Sequence, residues 1–137
     1  REILSSEQLE YMFEMMYSSE ALQRQMEEGQ HFLICYDDEV PLAFASFQSL
    51  PNASKVKIHK LYVLPEAQGK GLGRVLLNEV ATHAKAAGIP VITLNVNRYN
   101  KAFEFYTKEG FYKAGEEDIH IGNGYLMEDF IMEKLIV

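Results

Sequence analysis

Ile58-His59-Lys60-Leu61-Tyr62-Val63-Leu64-Pro65-Glu66-Ala67-Gln68-Gly69-Lys70-Gly71-Leu72-Gly73-Arg74 is the stretch that decides the fold. Up to Leu64 it is rich in β-branched, aromatic and aliphatic residues, which suits a strand. Pro65 ends that run, a loop with glycines at 69, 71 and 73 follows, and an apolar-striped helix opens directly after it. A glycine-rich turn at the head of a helix presents N–H groups that lack partners within the helix, at the positive end of its dipole. Such a turn binds phosphate, and glycine lets the anion come close because no Cβ stands in the way. Two common phosphate motifs fail on particular residues. A P-loop needs Ser or Thr after its Gly-Lys pair, whereas Lys70 is followed by Gly71. A dinucleotide fingerprint needs a third glycine where Arg74 stands, and an acidic residue further on, where the chain reads Val91-Ile92-Thr93-Leu94-Asn95. What remains is Gln68-x-x-Gly71-x-Gly73, which taken alone also suits an ordinary strand-to-helix turn.

A second block narrows the choice: Asn97-Arg98-Tyr99-Asn100-Lys101-Ala102-Phe103-Glu104-Phe105-Tyr106-Thr107-Lys108-Glu109-Gly110-Phe111. In this order the two blocks resemble the GNAT N-acetyltransferase superfamily. There a Gln/Gly loop takes the pyrophosphate of acetyl-CoA, and a short helix with Ala and a Phe-Tyr pair leads through Lys-x-Gly-Phe into a strand. The resemblance covers roughly residues 31 to 137. It implies acetyl-CoA as co-substrate, with Gln68, Gly69, Lys70, Gly71, Leu72, Gly73 and Arg74 around the pyrophosphate. It implies backbone groups of Leu61, Tyr62 and Val63 along the pantetheine arm, because in the family the sheet splays beside this strand and leaves N–H and C=O groups for an amide-rich ligand. One of those N–H groups would polarise the thioester carbonyl. The family often has Asn three residues before the helix Ala. Tyr99 stands there, bracketed by Asn97 and Asn100, and either asparagine is a candidate cofactor contact.

Composition sets the bounds. The 137 residues suit one domain, 1–137, with a sizeable core. Apolar content of 47% with 24% charged residues is that of a water-soluble domain, and no apolar run is long enough for a membrane span. No signal-peptide pattern opens the chain. The single cysteine, Cys35, excludes an internal disulfide and a cysteine-rich zinc site, and we expect no metal and a cytoplasmic setting. Within Phe32-Leu33-Ile34-Cys35-Tyr36 it reads as a buried structural thiol rather than an acetyl carrier. A net charge of −7 argues against nucleic acid as a partner and suits a cationic substrate. A monomer and a homodimer both stay open.

Helical spacing predicts helices over residues 6–17 and 19–28, ahead of strands His31 to Tyr36 and Val40 to Gln48 joined at Asp37-Asp38-Glu39. A strand Val56 to Leu64 follows. The next helix carries a stripe of Leu72, Val75, Leu76, Val80, Ala84 and Ala87, and Gly88 with Pro90 ends it. Val91 to Val96 reads as a doubly buried strand, Tyr99 to Glu109 as a short helix, and Phe111 to Ile119 with Tyr125 to Leu135 as a closing hairpin. The expected fold class is α/β, a mixed, mostly antiparallel central sheet flanked by helices. The family's opening strand is expected to lie outside this sequence.

Acetyl transfer to an amine asks for a base and for a proton for the departing thiolate. An alkylammonium has a pKa near 10.4, so roughly one molecule in a thousand or fewer is neutral at pH 7. His59 lies on the strand entering the glycine loop, on one face with Lys57, Leu61 and Val63, and imidazole titrates in the useful range. It is the candidate base, with a half-exposed strand histidine as the plain alternative. Tyr106 falls where the family's tyrosine faces the CoA sulfur, which implies a proton donor; simple packing in its helix is the other reading. The tail from Ile119 to Lys134 is similar to that of bacterial spermidine/spermine N-acetyltransferases, although a hairpin with a Gly122-Asn123-Gly124 turn explains it equally. The expected reaction moves acetyl from acetyl-CoA to a primary amine of a small substrate, a polyamine first among them. The acidic runs Asp37–Glu39 and Glu116–Asp118 would help attract it. Acetylation of a protein or peptide amine is the alternative, as is a non-catalytic CoA-binding domain.

Overall fold

The elements run β1 (His31–Asp37), β2 (Val40–Leu50), β3 (Lys55–Val63), a 3-10 turn at Pro65–Ala67, α1 (Leu72–Ala86), β4 (Val91–Asn97), α2 (Ala102–Lys108), β5 (Tyr112–Gly122) and β6 (Tyr125–Leu135). They come from a computed structural model that describes residues 29–50, 54–122 and 125–136. The helices expected over 6–17 and 19–28 and the centre of the Gly122–Gly124 turn lie outside the described residues. The six strands form one sheet in the order β1-β2-β3-β4-β6-β5. β1 pairs with β2, β4 with β6 and β5 with β6 in antiparallel fashion, while β3 and β4 run parallel. This is the expected mixed, mostly antiparallel α/β sheet.

The chain divides into two compact units interleaved in sequence, one of residues 1–48 and 60–80, the other of 49–59 and 81–137. In the first, β2 serves both faces of the sheet. Phe44 is fully buried on one side with Leu64 and Ala67, and the Tyr62 ring tilts against it at 6.0 Å between centroids. On the other side Ala43 and Ala45 are small enough for Leu76 of α1 to settle onto them, with Leu61 and Val63 alongside. The helix stripe is turned from the expected one. Leu76, Leu77 and Val80 are buried, whereas Val75 is 50% exposed. The row 72-76-80-84 sets the buried side, and Leu77 lies on its buried flank while Val75 lies on its exposed one.

In the second unit, Val56 and Ile58 of β3 and Ile92, Leu94 and Val96 of β4 are buried. The β3–β4 ladder registers Lys55 with Val91 through Ile58 with Leu94. β4 continues along β6, where Asn97 faces Asp129. Phe103 of α2 meets Phe130 edge-on at 5.3 Å. α2 is shorter than the Tyr99–Glu109 helix the sequence suggests. The Asn97 Oδ1 accepts from the Tyr99 N–H at 3.0 Å and the Asn100 Oδ1 from the Ala102 N–H at 2.8 Å. These side chains hold residues 97–102 in turns, a role asparagine takes readily because its short amide mimics the backbone.

Candidate active site

The glycine loop is built in the first unit. Leu64 donates its N–H to the Leu42 carbonyl at 2.9 Å, and Pro65, which has no N–H, then turns the chain out of the sheet. The Gln68 amide donates back to the Val63 carbonyl at 3.3 Å, fastening the loop to the strand end. Gly69 and Gly71 sit at φ +84° and +79°, a region L side chains rarely adopt. A Cβ at either would meet nothing within 4 Å, so the loop is open above them. Gln68, Gly69, Lys70, Gly71 and Arg74 are exposed, and Leu72 and Gly73 are half-buried at the start of α1. The dipole of the 15-residue helix, its leading N–H groups and a loop no side chain fills fit a pyrophosphate. Leu61, Tyr62 and Val63 are half-buried at the end of β3, beyond its registered pairs with β4.

The second unit carries the other expected residues. His59 is exposed on β3. Tyr106 is 8% exposed, between the rings of Phe105 at 5.2 Å and Phe111 at 5.5 Å. Burial pushes its phenol up to about 12. Such a group stays protonated at every physiological pH, so it donates and does not act as a base. Asn97 is half-buried and Asn100 exposed, each with its side-chain oxygen engaged in a turn. The structure thus brings the glycine-loop residues together in one unit, and His59, Asn97, Asn100 and Tyr106 fall in the other. Cys35 is half-buried rather than buried, packed near Ala43, Ala45 and Leu76. Burial raises its pKa, which makes a nucleophilic thiolate scarcer. Among the described residues, no group of three or more His, Cys, Asp or Glu could hold a metal ion, and among them no helix is long and apolar enough to cross a membrane.

The pleat splits the acidic run of β5. Glu116 and Asp118 both meet Arg98, at 3.4 and 3.3 Å, and Glu128 of β6 meets it at 3.6 Å. Lys113 also pairs with Glu116 at 2.6 Å, and this hydrogen bond and charge, then Arg98, hold the Glu116 carboxyl below the usual range. Glu117 lies on the opposite face, where it accepts from the Asn95 amide at 2.8 Å. Asp129, 4% exposed, accepts from the same amide at 3.2 Å. Asn95 was not singled out in the sequence, and Asp129 was noted only as part of the tail. The further signal was a pair of acids, Glu128-Asp129, in the middle of a largely apolar strand.

β3 leads through the glycine turn into α1 within a mixed sheet, which is the arrangement that the sequence resemblance implies. Residues 2–133 match the model of the acetyltransferase (GNAT) domain family. The chain belongs to that family and is an acetyl-CoA-dependent N-acetyltransferase. It is 33% identical over 138 residues to a spermidine N(1)-acetyltransferase of Thermoplasma acidophilum, covering 96% of this chain and 79% of that protein. A crystal structure of the PaiA N-acetyltransferase from the same organism, in complex with coenzyme A, superposes with a TM-score of 0.70 at 32% identity, covering 97% of this chain and 80% of that one. The ribosomal-protein-S18-alanine N-acetyltransferase of Escherichia coli shares the fold, with a TM-score of 0.74 at 23% identity over 98% of this chain and 92% of its own.

Proposed function

We propose that this enzyme acetylates a primary amine of a small polycation, with spermidine and spermine the leading acceptors. The likeness to the Thermoplasma spermidine N(1)-acetyltransferase carries this reading. When bound, acetyl-CoA supplies the activated acetyl group. The glycine loop from Gln68 to Arg74 holds its pyrophosphate, and backbone groups of Leu61 to Val63 align the pantetheine arm. Tyr106 donates a proton toward the departing sulfur. His59 takes a proton from the amine, directly or through water. A reducing cytoplasmic setting, where acetyl-CoA is at hand, belongs to the same reading.

The test is thiol release from acetyl-CoA across polyamines, amino acids, aminoglycosides and peptide N-termini. Spermidine is expected to be turned over best. Its apparent KM should rise several-fold between low and physiological salt, since steering by opposite charge is screened. Acetyl-CoA, held largely by backbone groups, should respond less. Robust turnover of peptides with none of spermidine would overturn the acceptor and favour protein acetylation. Acetyl-CoA binding without turnover of any amine would favour a non-catalytic CoA-binding domain.

His59→Ala is expected to lower kcat/KM about tenfold at pH 7, and less at pH 9 where more of the amine is already neutral. A pH–rate profile that keeps its shape in this variant assigns deprotonation to another group.

A further inference from the structure

In the second unit a buried acceptor has no donor. The register places Asn97 opposite Asp129 and Asp129 opposite Glu117, so these residues of β4, β6 and β5 share one face of the sheet. Asn95, two residues earlier on β4, is on that face too, and its Nδ2 donates to Glu117 Oε1 at 2.8 Å and to Asp129 Oδ2 at 3.2 Å. The other oxygen of Asp129, Oδ1, is buried and meets no hydrogen-bond donor among the described residues. The neighbouring acids differ. Glu116, Asp118 and Glu128 are answered by Arg98, and Glu133 by Lys55. Neither Glu117 nor Asp129 meets a cation among the described residues. Buried carboxylates are ordinarily paired, because a charge out of water is otherwise too costly. A donor would complete Asp129 Oδ1, and a positively charged donor would also offset the carboxylate's charge.

We propose that Asp129, with Glu117 and Asn95, seats an ammonium group of the acceptor, an inference that rests on the acetyltransferase reading above. A primary ammonium brings three N–H donors and no acceptor, which suits two carboxylates joined by one amide. It is the wrong place for phosphate, which the carboxylates repel. The nitrogen held here stays charged, whereas the nitrogen that is acetylated must be neutral. The two are therefore different atoms of one molecule, and the acceptor class is a diamine or polyamine rather than a monoamine.

The experiment compares spermidine with hexylamine as acceptors for the full chain and for Asp129→Asn. The wild type is expected to favour spermidine by tenfold or more in kcat/KM. In Asp129→Asn, spermidine should lose about 30- to 100-fold, mostly in KM, while hexylamine and acetyl-CoA stay within about threefold. Glu128→Gln removes the same charge one residue away on the opposite face and should leave spermidine within about threefold. Equal losses for both amines, an unchanged preference, or an equal loss in Glu128→Gln would overturn the seat. If Asp129→Asn does not fold, Glu117→Gln, at an exposed position, should still cost spermidine about fivefold, and no effect there counts against the proposal. Calorimetry of spermidine binding to the CoA-loaded protein separates the two readings. Binding that depends on Asp129 without any acetylation would sink the reaction and leave the seat. Acetylation of hexylamine with no preference for spermidine would do the reverse.

Discussion

Gly71→Val is expected to weaken acetyl-CoA binding about a hundredfold or more, measured by calorimetry on the folded protein. Gly71 sits at φ +79°, and a Cβ there meets nothing, so the variant loses no packing. The backbone suffers instead: a β-branched residue in the left-handed region costs about 1–2 kcal/mol or forces the loop to another shape. Either outcome turns N–H groups away from the pyrophosphate, and hydrogen bonds to a charged partner contribute about 1.5–3 kcal/mol each. Losing one bond together with the strain amounts to two powers of ten in affinity at about 1.4 kcal/mol each. Gly88→Val provides the control. Gly88 follows α1 at φ +74°, also in open space, so it should lower stability by a similar amount while acetyl-CoA affinity stays within about twofold. Equal losses of affinity in the two variants would reduce the glycine loop to a plain structural turn.

Tyr106→Phe should lower kcat about a hundredfold, within the range general acids supply, with acetyl-CoA affinity within about twofold. It should also change the alkaline limb of stability. The unfolded phenol ionises near pH 10, and burial pushes the folded one up to about 12. The folded state therefore holds the proton longer. That stability is fully present below pH 10 and is lost as pH rises toward 12. A shift of this size corresponds to roughly 3 kcal/mol. Urea unfolding between pH 9 and 12 should show wild type losing this amount relative to Tyr106→Phe, which has no phenol to titrate. Parallel losses in the two proteins would mean that burial does not protect the proton, and an unchanged kcat would leave Tyr106 a packing residue.

Much of the fold was legible because the local signals agree. The apolar runs of β2 and β4, the break at Pro65, and the Gly88 and Gly110 stops each mark an element within a residue or two of its place. Two errors share a cause, competition that local pattern does not weigh. Asn97 and Asn100 use their side chains on nearby N–H groups and so delay α2 to Ala102. Sheet packing, not apolar count, decides that Leu77 rather than Val75 is buried. The candidate site could be named from sequence where its residues are contiguous, as in the loop from Gln68 to Arg74. Glu117 was read only as part of an acidic run and Asp129 only as part of the tail, and their meeting with Asn95 was not legible, because it comes only through a register spanning three strands. For the same reason Glu116–Asp118 read as one acidic patch, whereas the pleat sends its members to opposite faces.

Among the described residues, the strand latest in sequence is an interior one, since β6 lies between β4 and β5. On the ribosome, every residue of the glycine loop is made well before residue 125, and domains form in roughly the order they are synthesised. Until β6 emerges, β4 and β5 have no ladder with each other, and each presents an unpaired edge that invites pairing with other chains. A ribosome that stops short of residue 125 therefore releases a polypeptide that still carries the phosphate turn but lacks Asp129 and holds two sticky margins. Such a product is a substrate for chaperones and proteases rather than a weak enzyme. Stops that fall between the glycine loop and residue 125 should be selected against as severely as those earlier in the gene.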